Sequence, residues 1–419
     1  MENFARKVKL VKISKRGIVA AIATAGLLFS GVAAPAQAAE DKTVTIWSGA
    51  ETIAGNPIHK TLQAFAKKSG IKINIVLKPG DGVLRQALIS SIPTGKGPDL
   101  AIGAHDWTGQ LVGAGVVAPV SLGASAKKFS SAVQSGFQVN GKLYGVPTWT
   151  ENIALLWNKR DSKDPKGMTF EQLLDAGLSI THDTVKGDPY HFSSIASSFG
   201  LTLFERNNGS WTKDLGYDSA QAGAYTKWLT TSGKKIKRPT DGWDQKACAL
   251  QKGDYVISGP WMYGHGQDTI SGCSAKPLTA AQIGVTVIPS AGGQTVHQFS
   301  GVYGVWKSVK VAKQANALAV GKVLAYIATG DAQLAFYKKS KTIPANTDAL
   351  AKVTDAGLKG FGVAGQNAYP MPSFVFMDTV WDKVGRAEAA VLSGKFTGDS
   401  ATFFKKAIGT AQAVVNESK

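Results

Sequence analysis

TGKGPDLAIGAHDWTGQLVGAGVV, residues 94–117, decides how the rest of the chain is read. A loop from Thr94 to Pro98 feeds a short apolar run, Leu100 to Ile102, which stops at the cluster His105, Asp106 and Trp107. A strand that ends in polar and aromatic side chains marks a site, because ligands of open α/β sheets collect beyond the carboxyl ends of the strands. Asp106 has two readings here. It is either a ligand carboxylate or the N-cap of a helix over Trp107 to Val112, Asp being a favoured cap.

Outward from this stretch, the preceding residues alternate between strand and helix. Val44 to Trp47 forms a first strand. Asn56 and Pro57 open a helix whose apolar face is Ile58, Leu62 and Phe65, with Lys67 and Lys68 in its last turn and Gly70 as its stop. Ile71 to Ile75 alternates strictly and reads as a second strand, a helix covers Gly82 to Ser91, and the 94–117 stretch supplies the third strand. This rhythm predicts an α/β fold on a parallel sheet.

On the other side the texture changes. Leu143 to Thr150 and Asn152 to Lys159 read as consecutive strands with Glu151 at their junction, which is how a chain crosses from one lobe to another. Thr169 to Gln172 is a capping box, and Asp218 to Ser232 is helical. Further strands fall at Asp254 to Ile257, running into Ser258-Gly259-Pro260-Trp261, at Ile283 to Ile288 and at Val302 to Trp306. The tail is helical over Ala312 to Thr329, Met377 to Leu392 and Ala401 to Glu417. At 419 residues a single core is not expected. Two domains without a linker imply lobes woven together by several crossings, a geometry that allows hinge closure.

The first 38 residues read as a secretory signal peptide: Arg6, Lys7, Lys9, Lys12, Lys15 and Arg16, an apolar run from Gly17 to Ala34, and a cut after Ala38 in Ala36-Gln37-Ala38. No cysteine lies near that cut, so release into a periplasm or medium is expected rather than lipid anchoring. No later run offers the roughly 18 apolar residues of a membrane span. In an oxidising compartment Cys248 and Cys273 pair most simply as one disulfide, the alternative being two buried thiols. Removing the leader, with six basic residues and Glu2, lowers the formal charge from +18 to +13. The lysines are scattered over helix faces opposite apolar residues, so no specific nucleic-acid partner is expected.

Catalytic signatures fail. The six histidines lack metal-ligand spacing, no G-x-S-x-G elbow is present, and GFQVNGK at 136–142 has Leu143 where a phosphate loop needs Ser or Thr. No metal or cofactor is expected. Asp106, Glu151 and Asp188 are the groups able to do chemistry, either as the acid and base of a glycoside hydrolase or as acceptors for sugar hydroxyls.

Several stretches, in order across nearly the whole chain after the leader, resemble the extracellular solute-binding proteins of carbohydrate ABC transporters, the maltose/maltodextrin-binding group among them. They are TGKGPDLAIGAHD, VNGKLYGVPTWTENIALLWNK, GDPY at 187–190, SGPW at 258–261, IGVTVIPS at 283–290 and MPSFVFMDTVW at 371–381. The resemblance implies a two-lobed, type II-like periplasmic-binding-protein fold, with lobe 1 over 39–149 and 289–340 and lobe 2 over 150–288 and 341–419. It also implies a carbohydrate ligand in the cleft, a membrane permease as partner, a monomer, and no catalysis.

Carried over position by position, it makes Asp106, Glu151 and Asp188 hydroxyl-binding carboxylates, Tyr190 and Trp261 stacking platforms of lobe 2, and Trp381 the platform of a late helix. Glu51 stands where the group has an aspartate, and Asp188 where it has a glutamate. Thr52 replaces a sugar-contacting lysine, Gly103 a stacking tryptophan, and Trp107 an arginine, which puts maltose specificity in question. Trp107 is then a candidate to restore the missing stacking surface, with Trp149 as a second. A secreted glycosidase using Glu151 and Asp106, and a polyamine-binding protein of the same fold, are the rival readings.

Overall fold

The structure, a computed structural model, describes residues 41–49, 57–237 and 242–418. The signal peptide with its cut at Ala38, and the candidate Glu51 with Thr52, lie outside the described residues. The main strands are β1 (Thr43–Gly49), β2 (Lys72–Lys78), β3 (Leu100–Ala104), β4 (Gly145–Asn152), β5 (Ala154–Asn158), β6 (Leu178–Ile180), β7 (Tyr255–Ser258), β8 (Ile283–Thr286), β9 (Phe299–Ser308) and β10 (Ile343–Pro344). The helices that matter here are α1 (Pro57–Ser69), α2 (Asp81–Ser91), α3 (Pro189–Ser198), α4 (Pro260–His265), α5 (Ala317–Ile327), α6 (Gly330–Ser340), α7 (Met377–Ser393) and α8 (Ser400–Glu417).

Two sheets divide these elements into two lobes. The sheet of lobe 1 runs β10-β4-β9-β3-β1-β2, with the two-residue strands Val117–Ala118 and Tyr369–Pro370 paired to β9. That of lobe 2 runs β8-β5-β7-β6. The expected parallel sheet holds for β1 with β2 and with β3. It ends there, because β9 enters antiparallel between β3 and β4 and makes the sheet mixed. A strand arriving from the other lobe is not constrained by a βαβ crossover to run parallel.

Each face of the lobe 1 sheet buries a separate core. Ile58 and Leu62 of α1, Val320 and Val323 of α5 and Phe336 of α6 cover Val44, Ile46 and Ile102 on one side. Leu84 and Leu88 of α2 cover Trp47, Ala101 and Trp306 on the other. The sequence reading runs one helix through to Thr329 and misses α6, which Thr329 itself starts, its hydroxyl accepting from the Ala332 N–H. Lobe 2 is held by α3, α7 and α8 around Phe192, Val380, Val384 and Phe404. The capping box at Thr169 forms with both of its bonds. Cys248 and Cys273 are bonded, their Cα atoms 5.7 Å apart. On the chain-entropy account, closing this loop contributes about 3 kcal/mol.

One residue, Ile153, separates β4 in the first sheet from β5 in the second. Two buried amides tie it down: Asn152 Nδ2 donates to the Ile153 and Phe361 carbonyls, and Gln298 Nε2 donates to Ile153 O at 3.2 Å. This lobe-to-lobe passage is therefore short, and its buried Ile153 carbonyl is satisfied.

Candidate functional site

β3 ends at Ala104 and His105–Trp107 form a single 3₁₀ turn, so Asp106 leaves the sheet at its carboxyl edge. His105 fixes this turn. Its Nδ1 accepts from the Val302 N–H at 3.0 Å, which leaves Nε2–H to donate to Met371 O at 3.0 Å. Burial lowers the imidazole pKa below its ordinary value, so the ring is neutral, as that pair of bonds requires.

Asp106 is 6 % exposed and caps nothing; the helix that follows, Thr108–Gly113, has no side-chain cap. Its Oδ2 accepts from Trp381 Nε1 of α7 at 3.1 Å, a bond from lobe 1 to lobe 2. Burial raises its pKa, and the Arg85 guanidinium opposes the rise by favouring the ionised form. Arg85 in α2 also forms an ion pair with Asp378, in the first turn of α7, where Gln86 Nε2 donates to the other oxygen at 3.0 Å. These contacts bring the lobes together beside an open depression of about 790 Å³ lined by Asp81, Val83 and Gln86 from lobe 1 and Lys186 from lobe 2. Glu151, half-buried near the end of β4, stands opposite Gly301 of β9, where an added Cβ would lie 3.0 Å from the Glu151 Cγ.

Lobe 2 contributes rings. Asp188 is the N-cap of α3, accepting from the His191 N–H at 3.1 Å, and its second oxygen meets His191 Nδ1 at 2.8 Å. Pro189 at the first helical position completes the start. Much of the Asp188 carboxylate is thus used in orienting His191 rather than offered to the cleft. Tyr190, His191 and Trp261, the last from α4, meet pairwise, with ring centroids 5.3, 6.0 and 6.3 Å apart. Trp243 packs edge-on against Trp261 at 6.2 Å. Tyr190 Oη, His191 Nε2 and Trp261 Nε1 are all buried without a protein hydrogen-bond partner. Burial first, and then Glu151, Asp188 and Asp106, push the Tyr190 hydroxyl pKa well up, so it is a neutral donor facing carboxylates. Trp381 lies edge-on to Phe299 at 5.7 Å.

Two candidate rings are elsewhere. Trp107 is 4 % exposed and stacks on Trp306 at 5.5 Å, deep in the lobe 1 core. Its other neighbour explains why: a Cβ on Gly103 would lie 2.3 Å from the Trp107 ring, so the missing side chain at 103 is the space Trp107 fills. The pair exchanges a surface ring for a core ring, and Trp107 has no face left for stacking on a ligand. Trp149 is 5 % exposed and stacks on Tyr303 at 4.8 Å. Sequence reasoning missed His191, Arg85 and Trp243. For His191 the signal is in the sequence, since an Asp N-cap three residues ahead of a histidine brings the two side chains together.

A family model described as bacterial extracellular solute-binding protein matches residues 60–359. The chain belongs to that family. Similar curated proteins include a maltotriose-binding protein of Pyrococcus abyssi, 26 % identical over 77 % of this chain and 72 % of its own length. A maltodextrin-binding protein of Bacillus subtilis is 26 % identical over 86 % of this chain and 89 % of its own length. Among solved structures, the maltotriose-binding protein of Thermus thermophilus bound with maltotriose superposes with a TM-score of 0.74 at 22 % identity, covering 89 % of this chain and all of that one. The two lobes are those of the periplasmic-binding-protein fold. Among the described residues no helix of this solute-binding protein is long and apolar enough to cross a membrane.

Proposed function

We propose that this chain is the substrate-binding component of an ABC importer and takes a maltodextrin-like disaccharide or oligosaccharide in the inter-lobe cleft, without chemistry. The observation that carries this reading is the cluster of three unpartnered polar atoms on the mutually packed rings of Tyr190, His191 and Trp261, close to the carboxylates of Asp106 and Glu151. Each buried polar atom left unsatisfied costs about 1–3 kcal/mol, and a pyranose supplies both hydroxyls to satisfy them and flat C–H faces to pack on the rings. Ionised carboxylates accept two hydroxyls at once. A few such bonds are ample for roughly micromolar binding, about −8 kcal/mol. Trp381 is the lobe 2 platform from α7, and Asp188 acts mainly through His191.

The lobes are 39–149 with 289–340 and 150–288 with 341–419, strand β10 being the chain's return across the hinge. A ligand closes them only through contacts that both make at once. The protein is exported, its leader cut near Ala38, and it works as a monomer that hands its sugar to a permease.

A thermal-shift screen against mono-, di- and oligosaccharides and polyamines tests this, since stabilisation follows RT ln(1 + [L]/Kd). The expected result is a large shift with α-linked glucose oligomers and recovery of the sugar uncut. A shortened sugar would make the protein a glycosidase, and a shift with polyamines alone would replace the ligand.

A further inference from the structure

The positive charge is not spread evenly. Residues 39–149 and 289–340, lobe 1, hold 17 lysines and arginines against 7 acids, whereas lobe 2 holds 24 against 21. Within lobe 1 the excess gathers on the outer helical layer. Lys60, Lys67 and Lys68 of α1, Lys313 just before α5, Lys322 of α5 and Lys338 of α6 are all exposed, and the only acid on these three helices is Asp331. Among the described residues, the ion-paired lysines of this lobe are Lys128 with Asp348 and Lys310 with Asp99.

The three helices form one surface. α1 packs on α6, and Phe65 of α1 stacks on Tyr326 of α5 at 4.1 Å. Leu318, 58 % exposed, stands one turn before Lys322 on the same side of α5, an apolar side chain set among cations.

We propose that this face of lobe 1 docks on an anionic phospholipid surface. Its charge is complementary to such a surface, which attracts lysines within a Debye length of about 8 Å at physiological salt, and Leu318 is placed to enter the interface. The lysines cover one face of the lobe 1 sheet, while Asp106 leaves the sheet at its carboxyl edge, so docking leaves the cleft open. One curated relative, of Streptococcus pneumoniae, is a lipoprotein. Here Cys248 and Cys273 are bonded to each other, so neither carries a lipid, and electrostatic attraction supplies retention near a membrane.

The test is flotation of the protein with vesicles of equal parts phosphatidylglycerol and phosphatidylcholine, and with phosphatidylcholine alone. Binding is expected to the anionic vesicles only, to fall about tenfold between about 50 and 300 mM NaCl, and to be lost in the triple variant K67E/K68E/K338E and reduced in K67Q/K68Q/K338Q. The lobe 2 triple K227E/K234E/K395E should bind like the parent. Equal losses from the two lobes would reduce the effect to net charge and overturn the proposal. So would absence of binding at low salt, or capture by a soluble polyglycerol phosphate in place of vesicles. The sugar-induced thermal shift, read on every variant, reports separately on folding and on the cleft.

Discussion

In the proposed site, lobe 1 supplies the carboxylate of Asp106 from a strongly basic body, with Glu151 at the crossing between lobes, whereas lobe 2 supplies the rings of Tyr190, His191, Trp261 and Trp381 from a body near charge balance. The difference also extends to what stands beside a buried acid in each lobe. Burial drives the Asp106 pKa up, but Arg85 beside it favours the anion. Lobe 2 has a buried acid without that help. Glu388 of α7 is fully buried, accepts from Tyr225 Oη at 2.9 Å, and burial raises its pKa from 4.5 to about 8. It is a neutral packing group at neutral pH. Asp106, with a cation in reach, accepts from Trp381 Nε1.

The largest effect expected from this contrast is on stability. Glu388 has a folded pKa above its unfolded value, so the folded state holds a proton that the unfolded state has lost between pH 4.5 and about 8. Stability from this group is therefore present at low pH and is lost as pH rises through that window, by at most about 5 kcal/mol. Glu388→Gln should remove the slope, leaving the variant more stable than the parent at alkaline pH in urea melts; an unchanged slope would show that Glu388 is not neutral. Next, Trp261→Ala should weaken oligosaccharide binding about a hundredfold by titration calorimetry, near 2.7 kcal/mol. Unchanged affinity would remove the rings of lobe 2 from the site.

Gly103→Ala sharpens the contrast inside lobe 1. It should cost about 1–3 kcal/mol of stability through overpacking against Trp107, while a sugar-induced shift of ordinary size persists. If the shift disappears, the ring of Trp107 or residue 103 touches ligand after all. The smallest effect is expected across the cleft. Asp378 is 38 % exposed on its side chain, so Asp378→Asn should lower affinity only by about threefold, under 1 kcal/mol. The loss should shrink as salt is added, because the Arg85 pair is screened.

Much of the fold was legible along the chain. The alternation at 71–75, the Pro57 start and Gly70 stop, and the Thr169 box are all decided by residues within one turn of each other. The helix at 330–340 was missed because Thr329 serves as the end of one pattern and the cap of the next. The antiparallel entry of β9 was not legible, since its neighbours β3 and β4 are set by a chain returning from the other lobe.

The site divides in the same way. The sequence by itself determined the charge, the strand that runs into the turn at Asp106, and the residue types able to hold a sugar. It could not separate cleft rings from core rings, because Trp107 and Trp381 differ in no local pattern. Only the tertiary structure placed Trp107 in the hole left by Gly103, and Trp381 against an acid 275 residues away. Burial and pairing over such separations depend on the packing of both sheets at once, whereas caps, turns and periodicity depend on a handful of adjacent dihedral angles.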